Sequence, residues 1–167
     1  MGLQNDIEII MRQEAVLRFA AFNEDDGWRL GGILRGMALA KGWPMVIDIR
    51  LGGRVLFYAA LPGSSADNPE WVRRKVATVL RFGCSSYLVG RRFLQSGKGF
   101  DAGEGVDPLG FANHGGGFPI HLTGTGVVGA VTVSGVPQRD DHEFVVAGIA
   151  AFLGVDGVGL ALPAQAD

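Results

Sequence analysis

The stretch Gly117-Phe-Pro-Ile-His-Leu-Thr-Gly-Thr-Gly-Val-Val-Gly-Ala-Val-Thr-Val-Ser-Gly135 decides how this chain folds. Phe118, Ile120 and Leu122 recur at every second position before a glycine-threonine turn at Gly124-Thr125. A second run, Val127 to Ser134, leaves that turn, and Ser134-Gly135 feeds a helix. A two-residue turn at 124–125 sets His121 opposite Val128, on the side of Ala130, Thr132 and Ser134. Phe118, Ile120 and Leu122 then share the opposite side with Val127, Val131 and Val133. The result is a hairpin with one apolar face and one semi-polar face. The helix that follows, over 137–153, turns Phe144, Val145, Gly148, Ile149, Phe152 and Leu153 inward.

Outward from that unit, a second hairpin reads from Met45 to Tyr58 around Gly52-Gly53. A two-residue turn pairs Ile49 with Leu56 and Ile47 with Tyr58, leaving Asp48, Arg50, Val55 and Phe57 on the other face. Asp48 and Arg50 are read either as a solvated pair or as part of an interface or pocket wall. Asn23 heads a helix over 24–41, with Asp26 placed to complete a capping box and Lys41-Gly42-Trp43-Pro44 to end it. Gly31, Gly32 and Gly36 within it suggest close approach by another backbone. Residues 3–13 read as a short helix, and Val16 to Phe19 as a candidate edge strand. Asp67 or Asn68 caps a helix with Pro69 in its first turn, and Ser85 or Ser86 caps another reaching Phe93. From Gln95 to Gly117 no periodicity survives; a loop this long reads as an arm or lid over a site.

Composition narrows the function. A chain of 167 residues with 47% hydrophobic content and 19% charge folds as one globular domain, expected over 1–153 with a loosely ordered tail at 154–167. A net charge of −2 leaves no basic surplus for phosphates, which argues against general nucleic-acid binding. Cys84 is the single cysteine, which favours a reducing, cytoplasmic setting. Met1 to Arg12 carries Asp6 and Glu8 and does not read as a signal peptide, and no apolar run reaches membrane-span length.

The three histidines fit no zinc pattern. His114 opens Gly115-Gly116-Gly117, where backbone can approach a ligand without Cβ interference; a flexible loop tip is the plainer account. His121 is either a pocket residue on the semi-polar face or a surface histidine. Trp71 and Lys75 are helical neighbours, read as pocket wall and carboxylate binder or as part of a solvated basic face with Arg73, Arg74 and Arg81. Ser134 before a helix start resembles an anion cradle, although Asp140 and Asp141 already complement that helix end. A triad from Ser134, His142 and Asp140 lacks a nucleophile elbow, and its last two members point apart.

The Gly-Gly-x-Pro-Ile start at Gly116, the Gly-x-Val-Val-Gly-Ala hairpin and the later Val-Ser-Gly with its acidic pair resemble the haem-degrading domain family. That family includes extracellular haem-binding sensors, a glycolate-operon protein and a domain of corrinoid adenosyltransferases. Asn68-Pro-Glu-Trp71 with Lys75 and Ser85-Ser86 is similar to its uncharacterised cytosolic subgroup. The resemblance covers 14–153 and implies an α/β (α+β) fold: a three-layer α/β/α, profilin-like sandwich with a mainly antiparallel sheet, often oligomeric. Function differs among members, so two readings stand. One is a homo-oligomeric binding or assembly module for a small ligand such as haem or another tetrapyrrole, with His114 as first choice of axial ligand. The other is an enzyme acting on haem or a small organic acid.

Overall fold

In a computed structural model, which describes residues 2–164, the decisive hairpin belongs to a four-stranded antiparallel sheet. Its strands are β1 (Val46–Leu51), β2 (Arg54–Ala60), β3 (Gly117–Leu122) and β4 (Gly126–Ser134), ordered β2-β1-β4-β3. Among the described residues the α-helices are α1 (Gly2–Val16), α2 (Glu24–Lys41), α3 (Asn68–Phe82), α4 (Ser86–Ser96) and α5 (Gln138–Leu153). Side chains alternate across a strand, so each strand supplies both faces of the sheet. Ile47, Ile49, Phe118, Ile120, Val131 and Val133 point to one face and pack with Leu30 and Leu34 of α2 and Phe144 and Ile149 of α5. Val46 and Ala130 point to the other and pack with Val72, Val76 and Val79 of α3. The architecture is therefore a three-layer α/β/α sandwich. A satellite cluster joins Ile7 and Ile10 of α1 to Tyr87, Leu88 and Val89 of α4.

Local chemistry sets the helix ends. Asn23 and Asp26 form the predicted capping box at 3.0 Å in each direction, and Gly42 closes α2 in the left-handed region at φ +65°. Ser85 caps α4, accepting from the Leu88 N–H. Phe19 makes a parallel bridge to Leu122, so the candidate edge strand at 16–19 is one residue of pairing.

The first hairpin departs from its expected register. Arg50 pairs with Val55 as predicted, but a bulge then sets Ile49 opposite Phe57 and Asp48 opposite Tyr58. One extra residue in β2 exchanges the faces of everything beyond it. Phe57 consequently enters the core, where it seats over Gly31 of α2; a Cβ there would strike its ring. Gly31 thus makes room for a side chain and not a backbone, while a Cβ on Gly32 or Gly36 would meet only open space. Asp48 is fully buried and ion-paired with half-buried Arg50 at 2.7 Å, so the two are not a solvated pair.

Two other segments are more tightly held than their composition suggests. Within the segment 97–116, residues 105–112 lie along α3: Arg73 donates to the Leu109 carbonyl at 2.8 Å, Arg74 to Pro108 at 3.4 Å, Arg81 to Gly105 at 2.9 Å, and Thr78 accepts from the Ala112 N–H at 3.0 Å. Those arginines fasten the loop, whose own Val106 and Ala112 are buried. In the segment expected to be a loose tail, Leu160 and Leu162 are buried, the Leu160 carbonyl accepts from Gln13, and the Leu162 N–H donates to Glu143. Residues 165–167 lie outside the described residues.

Gln13 also fixes His142. Its amide nitrogen donates to Glu143 and Leu160, so its oxygen accepts from His142 Nε2 at 2.8 Å. His142 is buried against Tyr87 and Phe118, and burial lowers its pKa from 6.5 to about 3. The folded state therefore holds this imidazole neutral, whereas the unfolded chain takes up a proton below 6.5. Stability supplied by His142 is complete above that value and is lost as pH falls toward 3. Between pH 7 and 5 the loss is about 2 kcal/mol. Urea midpoints should fall over that interval in the wild type and fall less in His142→Phe; parallel slopes would contradict the assignment.

Candidate functional site

Where β4 ends and β3 begins, the sheet opens into a cleft of about 270 Å³ between the start of α3 and the start of α5. Its wall on α3 is Asn68, Trp71 and Lys75; its floor is Ser134, Gly135 and Val136; α5 adds Gln138 and Asp141. His114, at the end of the strapped loop, forms the rim. Helical spacing alone places Trp71 and Lys75 together, one turn apart. The remaining residues meet only through the fold.

Lys75 is the most constrained group. Only 2% exposed, it donates to Asp141 and to the Val133 carbonyl, each at 3.0 Å. Burial pushes the Lys75 pKa down and that of Asp141 up, and each partner's charge opposes the shift of the other. The ammonium is already matched by a carboxylate, so Lys75 is not a free carboxylate binder. Asp141 is also more than a helix-end acid, because its other oxygen accepts from the Val136 N–H at 3.2 Å while Asp140 stays exposed.

Trp71 is half-buried, oriented by donation from its indole nitrogen to Asp67 at 3.0 Å, with the Arg74 guanidinium stacked on its ring. His114 meets it edge-on, ring centres 4.9 Å apart. The His114 carbonyl accepts from Ser86 Oγ at 2.6 Å, fixing the backbone and leaving the ring nitrogens without a protein partner among the described residues. Partial burial, and then the positive charges of Lys75, Arg74 and Arg91, lower the His114 pKa. Neutral imidazole, the ligating form, is thereby favoured.

The structure distributes the remaining predicted residues unevenly. Ser134 lines the cleft and its hydroxyl lies 3.4 Å from the Asn68 amide. Gly115 and Gly116 are buried beside it; Gly115 donates to Gln138 and the Gly116 carbonyl accepts from Val133. Gly116 has φ +124°, and a side chain there would collide with the Val133 carbonyl and Lys75. On their inner side these glycines make room for the Gln138 and Val133 carbonyls and the Lys75 side chain. His121 lies outside the cleft. It is four residues along β3 from Gly117, about 13 Å at strand rise. A bulge between Ile120 and His121 also pairs it with Val127 instead of Val128. Sequence reading missed Asn68, Gln138 and Asp141 as site residues. The one available signal was a second acid beside Asp140, beyond what capping requires.

These features define an α/β domain with a small, mixed-polarity cleft at one end of its sheet. A family model described as haem degrading protein HbpS-like matches residues 22–150, and the chain belongs to that family. It is 47% identical over 163 residues to a UPF0303 protein of Acidobacterium capsulatum, covering 98% of this chain and 99% of that one. The crystal structure of Ybr137w aligns with a TM-score of 0.82 and 31% identity, over 89% of this chain and 87% of that one. A PduOC–haem complex aligns with a TM-score of 0.67 and 20% identity, over 78% and 94%, a likeness of fold.

The buried pair sets a stability test. Lys75→Met or Asp141→Leu alone strands a buried partner and should cost about 3–5 kcal/mol. The double variant should recover much of that loss, since neither charge is then left alone. Chemical denaturation of the three variants checks this; additive losses would show that the two groups do not act as a pair.

Proposed function

We propose that this protein is a binding module for haem or a related tetrapyrrole, with His114 supplying the axial nitrogen. The observation that carries the proposal is the state of His114. It is exposed at the cleft rim, held by its backbone, braced edge-on by Trp71, unbonded at its ring nitrogens and biased toward the neutral form. Family membership supports the same reading, as does the haem bound by PduOC on a related fold. A cleft of about 270 Å³ is at the small end for ligand sites, so a macrocycle would rest against Trp71 and His114 with part of it left uncovered. Bound haem would supply redox-active iron; the protein's part is to hold and orient it.

Assembly into a homo-oligomer belongs to the same proposal. The outer edge of β2 pairs with no strand among the described residues, and Val55, Tyr58 and the nearby Trp28 are 49%, 48% and 70% exposed. A cytoplasmic setting fits the unpaired, buried Cys84, whose thiol burial pushes up to about 12. A catalytic reading, on haem or a small organic acid, draws on one observation. Lys75 and Asp141 are both shifted toward neutrality beside His114, which is the environment of an acid–base pair.

Haemin titration should give a saturable, shifted Soret band that His114→Ala loses while keeping its fold by circular dichroism. Because the His114 pKa is lowered, the band should persist to pH values below the ordinary 6.5 and fade only on further acidification. A band unchanged in His114→Ala would end the assignment. Consumption of bound haem with reductant and oxygen would favour the catalytic reading. Light scattering should show more than one subunit; a monomer at micromolar concentration would contradict the assembly.

A further inference from the structure

His114 stands on a ridge. Behind it lies a second cleft of about 220 Å³ that shares His114 and Gln138 with the first and is otherwise built from α4 and from Lys98 and Asn113 at the two ends of the loop. Phe93 and Leu94 give it an apolar side, Leu94 being 61% exposed. Its two cations, Arg91 and Lys98, are in different states. Lys98 is paired with Glu104 at 2.8 Å. The Arg91 guanidinium is stacked over the Tyr87 ring at 4.7 Å, and its Nε is buried with no hydrogen-bond partner among the described residues. No carboxylate is among the residues lining the cleft.

An arginine in this state is unusual. A buried N–H without a partner is costly, and guanidinium groups suit carboxylates because they offer a planar fork of donors. Stacking on Tyr87 holds the plane in place before any ligand arrives, which lowers the ordering cost of recognition. An apolar side close to one uncompensated cation selects an amphipathic acid and not a bare anion. We propose that this second cleft is a carboxylate subsite: Arg91 receives the acid group of a ligand whose apolar body lies along Phe93 and Leu94 and reaches His114. The proposal deepens the reading of His114 as a ligand-binding residue and rests on it for the ligand's far end. It also relocates the carboxylate recognition that sequence spacing assigns to Lys75, whose charge is consumed by Asp141.

Octanoate serves as the probe. In ¹⁵N-labelled protein the Arg91 Nε–H resonance, identified by its loss in Arg91→Lys, should shift saturably with octanoate and remain in place with octan-1-ol. Arg91→Lys should weaken octanoate binding about tenfold, followed at the neighbouring His114 ring, because a lysine cannot reproduce the bidentate fork. An Arg91 resonance that ignores octanoate, or follows octan-1-ol equally, overturns the subsite. An equal response to acetate at the same concentration overturns the amphipathic part and leaves an adventitious ion only. Haemin binding is scored separately. Octanoate at Arg91 without a Soret shift defeats only the haem reading, and a Soret shift without octanoate binding defeats only the subsite.

Discussion

The buried contact between Lys75 and Asp141 is the constraint on which the rest of this structure depends. It joins α3, which covers one face of the sheet, to α5, which covers the other, and it does so at the end of β4. An ammonium excluded from water is costly unless paired, and this one has a carboxylate and a strand carbonyl for two of its three donors. Satisfying it fixes the distance between the two helix starts. That distance is the width of the cleft.

The same contact explains why the glycines precede β3. Gly116 packs against the bonded Val133 carbonyl and Lys75 ammonium, and a side chain there would collide with both. Its neighbour His114 is consequently delivered to the rim, with Ser86 holding its carbonyl and Trp71 bracing its ring. The loop that carries it is not a free lid, because three arginines of α3 hold its carbonyls along the helix. Rigid placement of an otherwise exposed imidazole is what a ligand site needs, since little ordering remains to be done on binding.

Charge is partitioned around His114. On one side the acids Asp67 and Asp141 are each engaged, by Trp71 and by Lys75. On the other, Arg91 meets no acid among the described residues lining the cleft, and Lys98 is paired with Glu104. A ligand crossing the ridge would meet a nearly balanced cleft at one end and a net cation at the other. That asymmetry gives a direction to binding which composition, with its near-zero net charge, does not reveal.

Sequence alone determined the features that depend on near neighbours. The capping box at Asn23, the hairpin built around Gly124, the long helix before Gly42 and the pairing of Trp71 with Lys75 all follow from interactions within a few residues. Glycine and proline spacing was enough to suggest the family as well. Tertiary structure decided whatever depends on register or on distant partners. A single bulged residue in each hairpin moved Phe57 into the core and re-paired His121 with Val127, and a pattern of alternation cannot record such a slip. Lys75 and Asp141 are 66 residues apart, and nothing in the chain between them marks the pair. Whether a cation is satisfied or left waiting, as at Lys75 and Arg91, is a property of three-dimensional surroundings, because the residue type is a donor in either case.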